Sequence, residues 1–159
     1  VSYEIKTDKE ITVPQTGDII YYTTDYIGRI DDIEVILAAD DARAKNMAER
    51  VYNVSGDTSS EFLANAQWCL VCSTIVDSDN ETLTLLKPGK ELSEFSTTNA
   101  DDCTFYDFSH QFGSSNIYLV SKKGVTAIPN TNLMSYIGNS NAAVLSRYGC
   151  MYMVIVFEK

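Results

Sequence analysis

Positive charge is scarce in this chain: 12 Lys and Arg stand against 22 Asp and Glu in 159 residues, a formal net charge of −10. A phosphate-binding surface needs clustered Lys and Arg to displace counterions, and the densest basic pair here is Lys122-Lys123. Nucleic acid is therefore disfavoured as a partner, and an anionic membrane surface is disfavoured for the same reason. Long apolar runs are also missing. None reaches the roughly 20 residues of a spanning helix, so no membrane insertion is expected. Histidine occurs once, as His110 in Asp107-Phe108-Ser109-His110, so any His-dependent triad would have to use it. There is no G-x-S-x-G elbow and no G-x-G-x-x-G, and Gly89-Lys90 lacks the flanking Gly and Ser or Thr of a P-loop.

The four cysteines, Cys69, Cys72, Cys103 and Cys150, are too few for a disulfide scaffold. Trp68-Cys69-Leu70-Val71-Cys72 has the W-C-x-x-C spacing of a redox pair, which works at a helix start where the dipole lowers one thiol pKa. Here Ser73-Thr74-Ile75-Val76 follows, a β-branched run rather than a helix, and buried free thiols are the better reading. Structural zinc sites usually draw on two close pairs of ligands. Only the Cys69/Cys72 pair is close, with Cys103, His110 and Cys150 distant, so no metal and no other cofactor is expected. A Cys103–Cys150 disulfide stays open. Asp77-Ser78-Asp79-Asn80-Glu81 is rich in oxygen ligands but lacks the spacing and Gly of a calcium loop, and reads as a hairpin turn.

What the chain does have is a closing strand, Cys150-Met151-Tyr152-Met153-Val154-Ile155-Val156-Phe157. Read with a period of two, Met151, Met153, Ile155 and Phe157 form one face, and Cys150, Tyr152, Val154 and Val156 the other. Apolar on both faces, it must be covered on both, which places it centrally in a sheet. Ile19–Thr24, Leu70–Val76, Leu83–Leu86 and Cys103–Phe108 are further β-branched or aromatic runs. Asn116–Ser121 and Val125–Ile128 read as a hairpin across Lys122-Lys123-Gly124. Between Asp40 and Gln67 the period lengthens. Ala44, Met47, Ala48 and Val51 share one helical face, and Thr58-Ser59-Ser60-Glu61 has capping-box spacing before a second short helix. Asn130 to Asn141 is Asn- and Ser-rich and reads as a loop with at most one helical turn.

These patterns predict an α+β fold: a mainly antiparallel β-sheet or sandwich, one or two helices inserted at about 40–67, and a central C-terminal strand. A chain of this length is expected to fold as a single domain, 1–159, burying roughly 68–70% of its unfolded surface. Opening on Val1 rather than Met, it is expected to be a mature form or a piece of a longer chain.

With no catalytic constellation and ten tyrosines, the reading leans to a binding surface, since Tyr offers large rigid area with a polar handle. Tyr106, Tyr136, Asn139, Asn141 and Tyr148 are the candidate binding residues. The closing apolar strand, Asn-rich loops and acidic surface are similar in style to the head domains of viral or bacterial fibres and surface adhesins. The expectation is thus a non-catalytic structural or recognition domain of a virion or cell-surface assembly. It would be extracellular or part of a virion, homo-oligomeric, with a protein or glycan ligand. The alternatives are a thiol-dependent redox enzyme using Cys69 and Cys72, and an accessory domain of a larger intracellular protein.

Overall fold

A computed structural model describes residues 13–44, 68–79, 81–87, 89–90, 101–108, 111–147 and 150–159 of the chain. Along these run β1 (Ile19–Thr24), β2 (Ile30–Leu37), the single-turn helix α1 (Ala39–Arg43), β3 (Trp68–Ser78), β4 (Thr82–Leu86), β5 (Cys103–Asp107), β6 (Gln111–Ser121) and β7 (Gly124–Ala127). A 3-10 helix (Asn130–Tyr136), β8 (Asn141–Arg147) and β9 (Cys150–Phe157) complete the order. The fold is α+β and dominated by strands. Seven of them form one mixed sheet in the order β5-β4-β3-β8-β9-β6-β7, and β1 and β2 form a separate antiparallel hairpin. Within the large sheet every pairing is antiparallel except that of β6 with β9. The edges, β5 and β7, have only five and four residues, which limits the unpaired backbone open to another strand.

β9 sits inside the sheet, bonded on one side to β8 and on the other to β6. Each face is sealed by a different layer. On one, Leu70, Cys72, Ala143 and Phe157 pack with Ile36 and Leu37 of β2 and with Ala39 and Ala42 of α1. On the other, Ile75, Leu83, Leu85, Val144, Val154 and Val156 pack around Leu133 of the 3-10 helix.

The expected faces of β9 need a correction. Leu145 pairs with Met153 and Ser146 with Met151, so Tyr152 is an extra residue in the ladder. This β-bulge breaks the period of two. Met151 joins the cluster of Val154 and Val156, while Tyr152 packs against the cluster of Phe157.

The expected long helix from Asp40 is also cut short. Ala44 is extended (φ −62°, ψ 133°), so α1 ends at Arg43. The cause lies far along the chain. The Nδ2 of Asn141 donates to the carbonyls of Ala42 (2.9 Å) and Ala44 (3.0 Å), acceptors that a continuing helix would offer to its own N–H groups. At the other end, the Ala39 N–H donates to Asp18 Oδ1 at 2.8 Å. One turn of helix is far too short to hold itself, so these bonds and the fully buried Ala42 hold it to the sheet. The rest of the predicted helical region, 45–67, lies outside the described residues.

Asn141→Leu should therefore destabilise the fold by about 2 kcal/mol, since it leaves two carbonyls short of a donor while the added apolar contact offsets part of the loss. Chemical denaturation checks the number. Asn141→Leu as stable as wild type would mean the two bonds contribute nothing.

Candidate functional site

The structure describes four of the five binding residues expected from sequence. Tyr106 on β5 and Tyr136 at the end of the 3-10 helix are half-buried, and both pack against the cluster around Leu133. Asn139 is exposed, and its Oδ1 accepts from the Ser140 hydroxyl at 3.0 Å. Asn141 is only 2% exposed. Its Oδ1 accepts from Thr74 Oγ1 at 3.0 Å while its amide holds α1, so this side chain is a pin between layers rather than a contact residue. Tyr148 and His110 lie outside the described residues.

The thiols are placed by β3. Cys69 pairs with Ser146 and Cys72 with Ala143 along an extended strand between β4 and β8. Among the described residues, both positions lie within a strand and not at a helix start. Cys72 is 2% exposed, and burial pushes its thiol up to about 12. Burial first, and then the Asp102 carboxylate, also raise the Cys103 thiol against a weaker opposing pull from Lys87. Cys103 and Cys150 are free thiols on strands separated by β4, β3 and β8. Four inter-strand steps put them on the order of 19 Å apart, beyond the reach of a disulfide.

Native Cys72 should resist a maleimide at pH 7–8 and label fully once the chain is unfolded in denaturant, with mass spectrometry locating the adduct. Its native pKa lies above the unfolded thiol value of about 8.5. The Cys72 contribution to stability is thus complete below that value and is lost as pH rises from there towards 12. Rapid native labelling would show that the thiol is not buried.

The Asp79 carboxylate spends its Oδ1 on its own turn, accepting from the N–H groups of Glu81 (2.7 Å) and Thr82 (2.6 Å). Among the described residues, no group of three or more His, Cys, Asp or Glu is placed to hold a metal ion. A small pocket at the β9 bulge, lined by Phe108, Ile117, Met151 and Tyr152 among others, has room for about one water.

The feature that does stand out is the tip of the β1–β2 hairpin, Asp25-Tyr26-Ile27-Gly28-Arg29. Tyr26 is 96% exposed and Ile27 59%. Two adjacent large apolar side chains at a tip are held outward by a dense local network. The backbone closes with Asp25 N–H to Arg29 C=O (2.8 Å) and Gly28 N–H to Asp25 C=O (3.0 Å). The Asp25 Oδ1 accepts from the N–H groups of Ile27 (3.0 Å) and Arg29 (2.9 Å), and its Oδ2 accepts from Arg29 Nε at 2.9 Å. Gly28 has φ +85°, the left-handed position that closes a three-residue hairpin loop. Asp at the start and Gly three residues later is the local sequence signal for this turn, but nothing local distinguishes Tyr26 from the other tyrosines of the chain. At the base of the tip Ile30 is buried, and further down Tyr21, Ile36 and Leu37 join the core.

Burial on its own would raise the Asp25 carboxyl, but bonds from the Arg29 and Ile27 N–H groups and the Arg29 guanidinium outweigh it and hold the pKa below the usual value. A depressed native pKa means that the contribution of this network is complete above the unfolded value, about 3.9. It is lost as pH falls through the lower native value. The amide resonances of Ile27 and Arg29 should accordingly shift together on acidification with a midpoint below about 3.9. A midpoint at or above that value would show that the carboxylate does not hold the tip.

Compared with protein-family models, with curated proteins and with solved structures, the chain matches none. Function must therefore be argued from the geometry. What the geometry presents is a pre-set apolar tip on a β-hairpin anchored to a sheet.

Proposed function

We propose that this protein is a non-catalytic recognition domain that binds a partner protein through the Tyr26-Ile27 tip. The observation that carries the reading is the pairing of near-complete exposure, 96% for Tyr26, with a backbone fixed by the Asp25 carboxylate. Exposed apolar area alone is common on soluble proteins. An aromatic side chain on an already ordered turn is different, because binding it costs little further conformational entropy. Such rigid aromatic anchors dominate the energetics of protein interfaces. The layered sheet then serves as a platform, with the hairpin as its contact element. An extracellular or virion assembly remains the setting proposed for such a domain, on the strength of its loop composition and acidic charge.

The test is a photo-reactive phenylalanine analogue placed at position 26 and, as a control, at the exposed Lys123, in the cells or particles that make the protein. A discrete adduct from position 26 and none from position 123 is the expected result. An adduct of twice the chain mass would identify the partner as a second copy. Failure to cross-link at position 26, or equal yields from both sites, would remove the tip from the binding surface.

A further inference from the structure

Resting on the tip as the binding element, we infer the chemistry of its partner: a protein cleft with an apolar floor and a rim of Lys or Arg. The floor follows from Tyr26 and Ile27, which present ring and aliphatic area together with one phenolic hydroxyl as a polar handle. The rim follows from the charges behind them. Within the tip, Asp25 and Arg29 neutralise each other at 2.9 Å. The next charged groups down the hairpin are all acidic: Asp31 and Asp32, and then Glu34. Asp32 is exposed and lies opposite Thr23, with one rung, Thr24 with Ile30, and the bulged Asp31 between it and the turn. At about 3.4 Å per residue, Asp31 and Asp32 stand roughly 7–10 Å behind the tip, and Glu34, opposite Tyr21, roughly 17 Å. Arg29 is the only basic residue from Ile19 to Leu37.

The element is therefore an apolar knob on an acidic collar, in a chain whose net charge is already −10. A cleft deep enough to bury the knob brings its rim level with the collar. Opposite charge there is favoured, and like charge is penalised. The same collar opposes the insertion of the tip into an anionic bilayer, where polyanionic headgroups would meet Asp31 and Asp32.

The probe is a disulfide-closed random peptide library displayed on phage and panned against the immobilised 159-residue chain at low salt. Soluble Tyr26→Ala protein is added to remove binders to other surfaces. Enriched peptides should combine aromatic or aliphatic residues with flanking Lys or Arg. For a synthesised winner, Tyr26→Ala and Ile27→Ala should each weaken binding about tenfold or more, as for a central anchor. Asp32→Asn, and the Asp31→Asn/Asp32→Asn pair checked for native circular dichroism, should weaken it about three- to tenfold. Raising salt from about 50 to about 500 mM should do the same.

Winners that require Tyr26 but carry no basic bias, or that ignore Asp31→Asn/Asp32→Asn, would overturn the inference and leave the tip as the binding site. Winners indifferent to Tyr26, or no winners, would take the tip reading down as well. Tyr26-dependent co-sedimentation with phosphatidylcholine–phosphatidylserine vesicles would replace the protein cleft with a membrane.

Discussion

Phe157→Ala is expected to destabilise the protein by about 3–5 kcal/mol, the range for removing a large aromatic side chain from a packed core. Phe157 lies two residues from the end of the sequence, yet it is fully buried. It pairs with Asn141 on β8 and with Val120 on β6, and it packs in the cluster that contains Leu37, Ala39 and Ala42. The truncation removes contacts to three separate elements at once, and a void bounded by strands held in register can close only partly. The residue that follows is bound as well. The Glu158 N–H donates to Val120 C=O at 3.0 Å, and the Glu158 carbonyl accepts from Arg43 Nε at 3.2 Å. Both use only main-chain atoms of Glu158, so Glu158→Ala should stay within about 0.5 kcal/mol of wild type. Urea unfolding monitored by circular dichroism would read both, as a shifted midpoint at unchanged slope. A loss below about 1 kcal/mol for Phe157→Ala would mean that the C-terminal strand is not the packed interior strand described here.

Gly17→Ala should lose about 3 kcal/mol for a different reason. Gly17 has φ +96°, and a methyl group there would meet Val120 Cγ1 at 2.5 Å and Ala39 Cβ at 3.3 Å. The left-handed backbone costs an L-residue roughly 1–2 kcal/mol. Forcing a carbon into the buried Val120 side chain adds about 1–3 kcal/mol, and the stiffer unfolded chain returns about 0.4–1 kcal/mol. Gly138→Ala separates the causes. Its φ is +74° but nothing lies within 4 Å of the added carbon, so only the backbone strain remains. In thermal melts Gly17→Ala should fall by roughly 6–12 °C, several degrees more than Gly138→Ala, at about 2–4 °C per kcal/mol for a domain of this size. Equal shifts would show that the 15–18 turn does not press on β6.

Much of the strand content was legible in the sequence because it is written locally. Ile19–Thr24 is β-branched and aromatic, and the structure places β1 over the same residues. Asp79 marks the β3–β4 turn because its carboxylate accepts the N–H groups that reverse the chain. The β6–β7 hairpin forms where Lys122-Lys123-Gly124 predicted it, with Ser121 opposite Gly124. One local pattern misled, and another is only partly visible. The helical period beginning near Asp40 is interrupted at Ala44, where Asn141, distant in sequence, binds the carbonyls of Ala42 and Ala44, and the rest of it lies outside the described residues. The alternation in β9 was real until the bulge at Tyr152 moved Met151 to the other face. The candidate site was half legible. Asp25 and Gly28 announce a tight turn, but only exposure in the folded chain singles out Tyr26 from the other tyrosines.

The sequence by itself determined that this is an acidic, strand-rich α+β protein whose last strand must be covered on both faces. Those properties are sums over residues or short periods, and composition and alternation report them directly. Only the tertiary structure decided that β9 runs parallel to β6 and antiparallel to β8, that Asn141 is a pin rather than a contact residue, and that Tyr26 and Ile27 project from the surface. The parallel β6–β9 pairing and the Asn141 pin are each a relation between segments distant in the chain. Their free energy arises from partners that no local window contains, so they become visible only once the chain has brought those partners together.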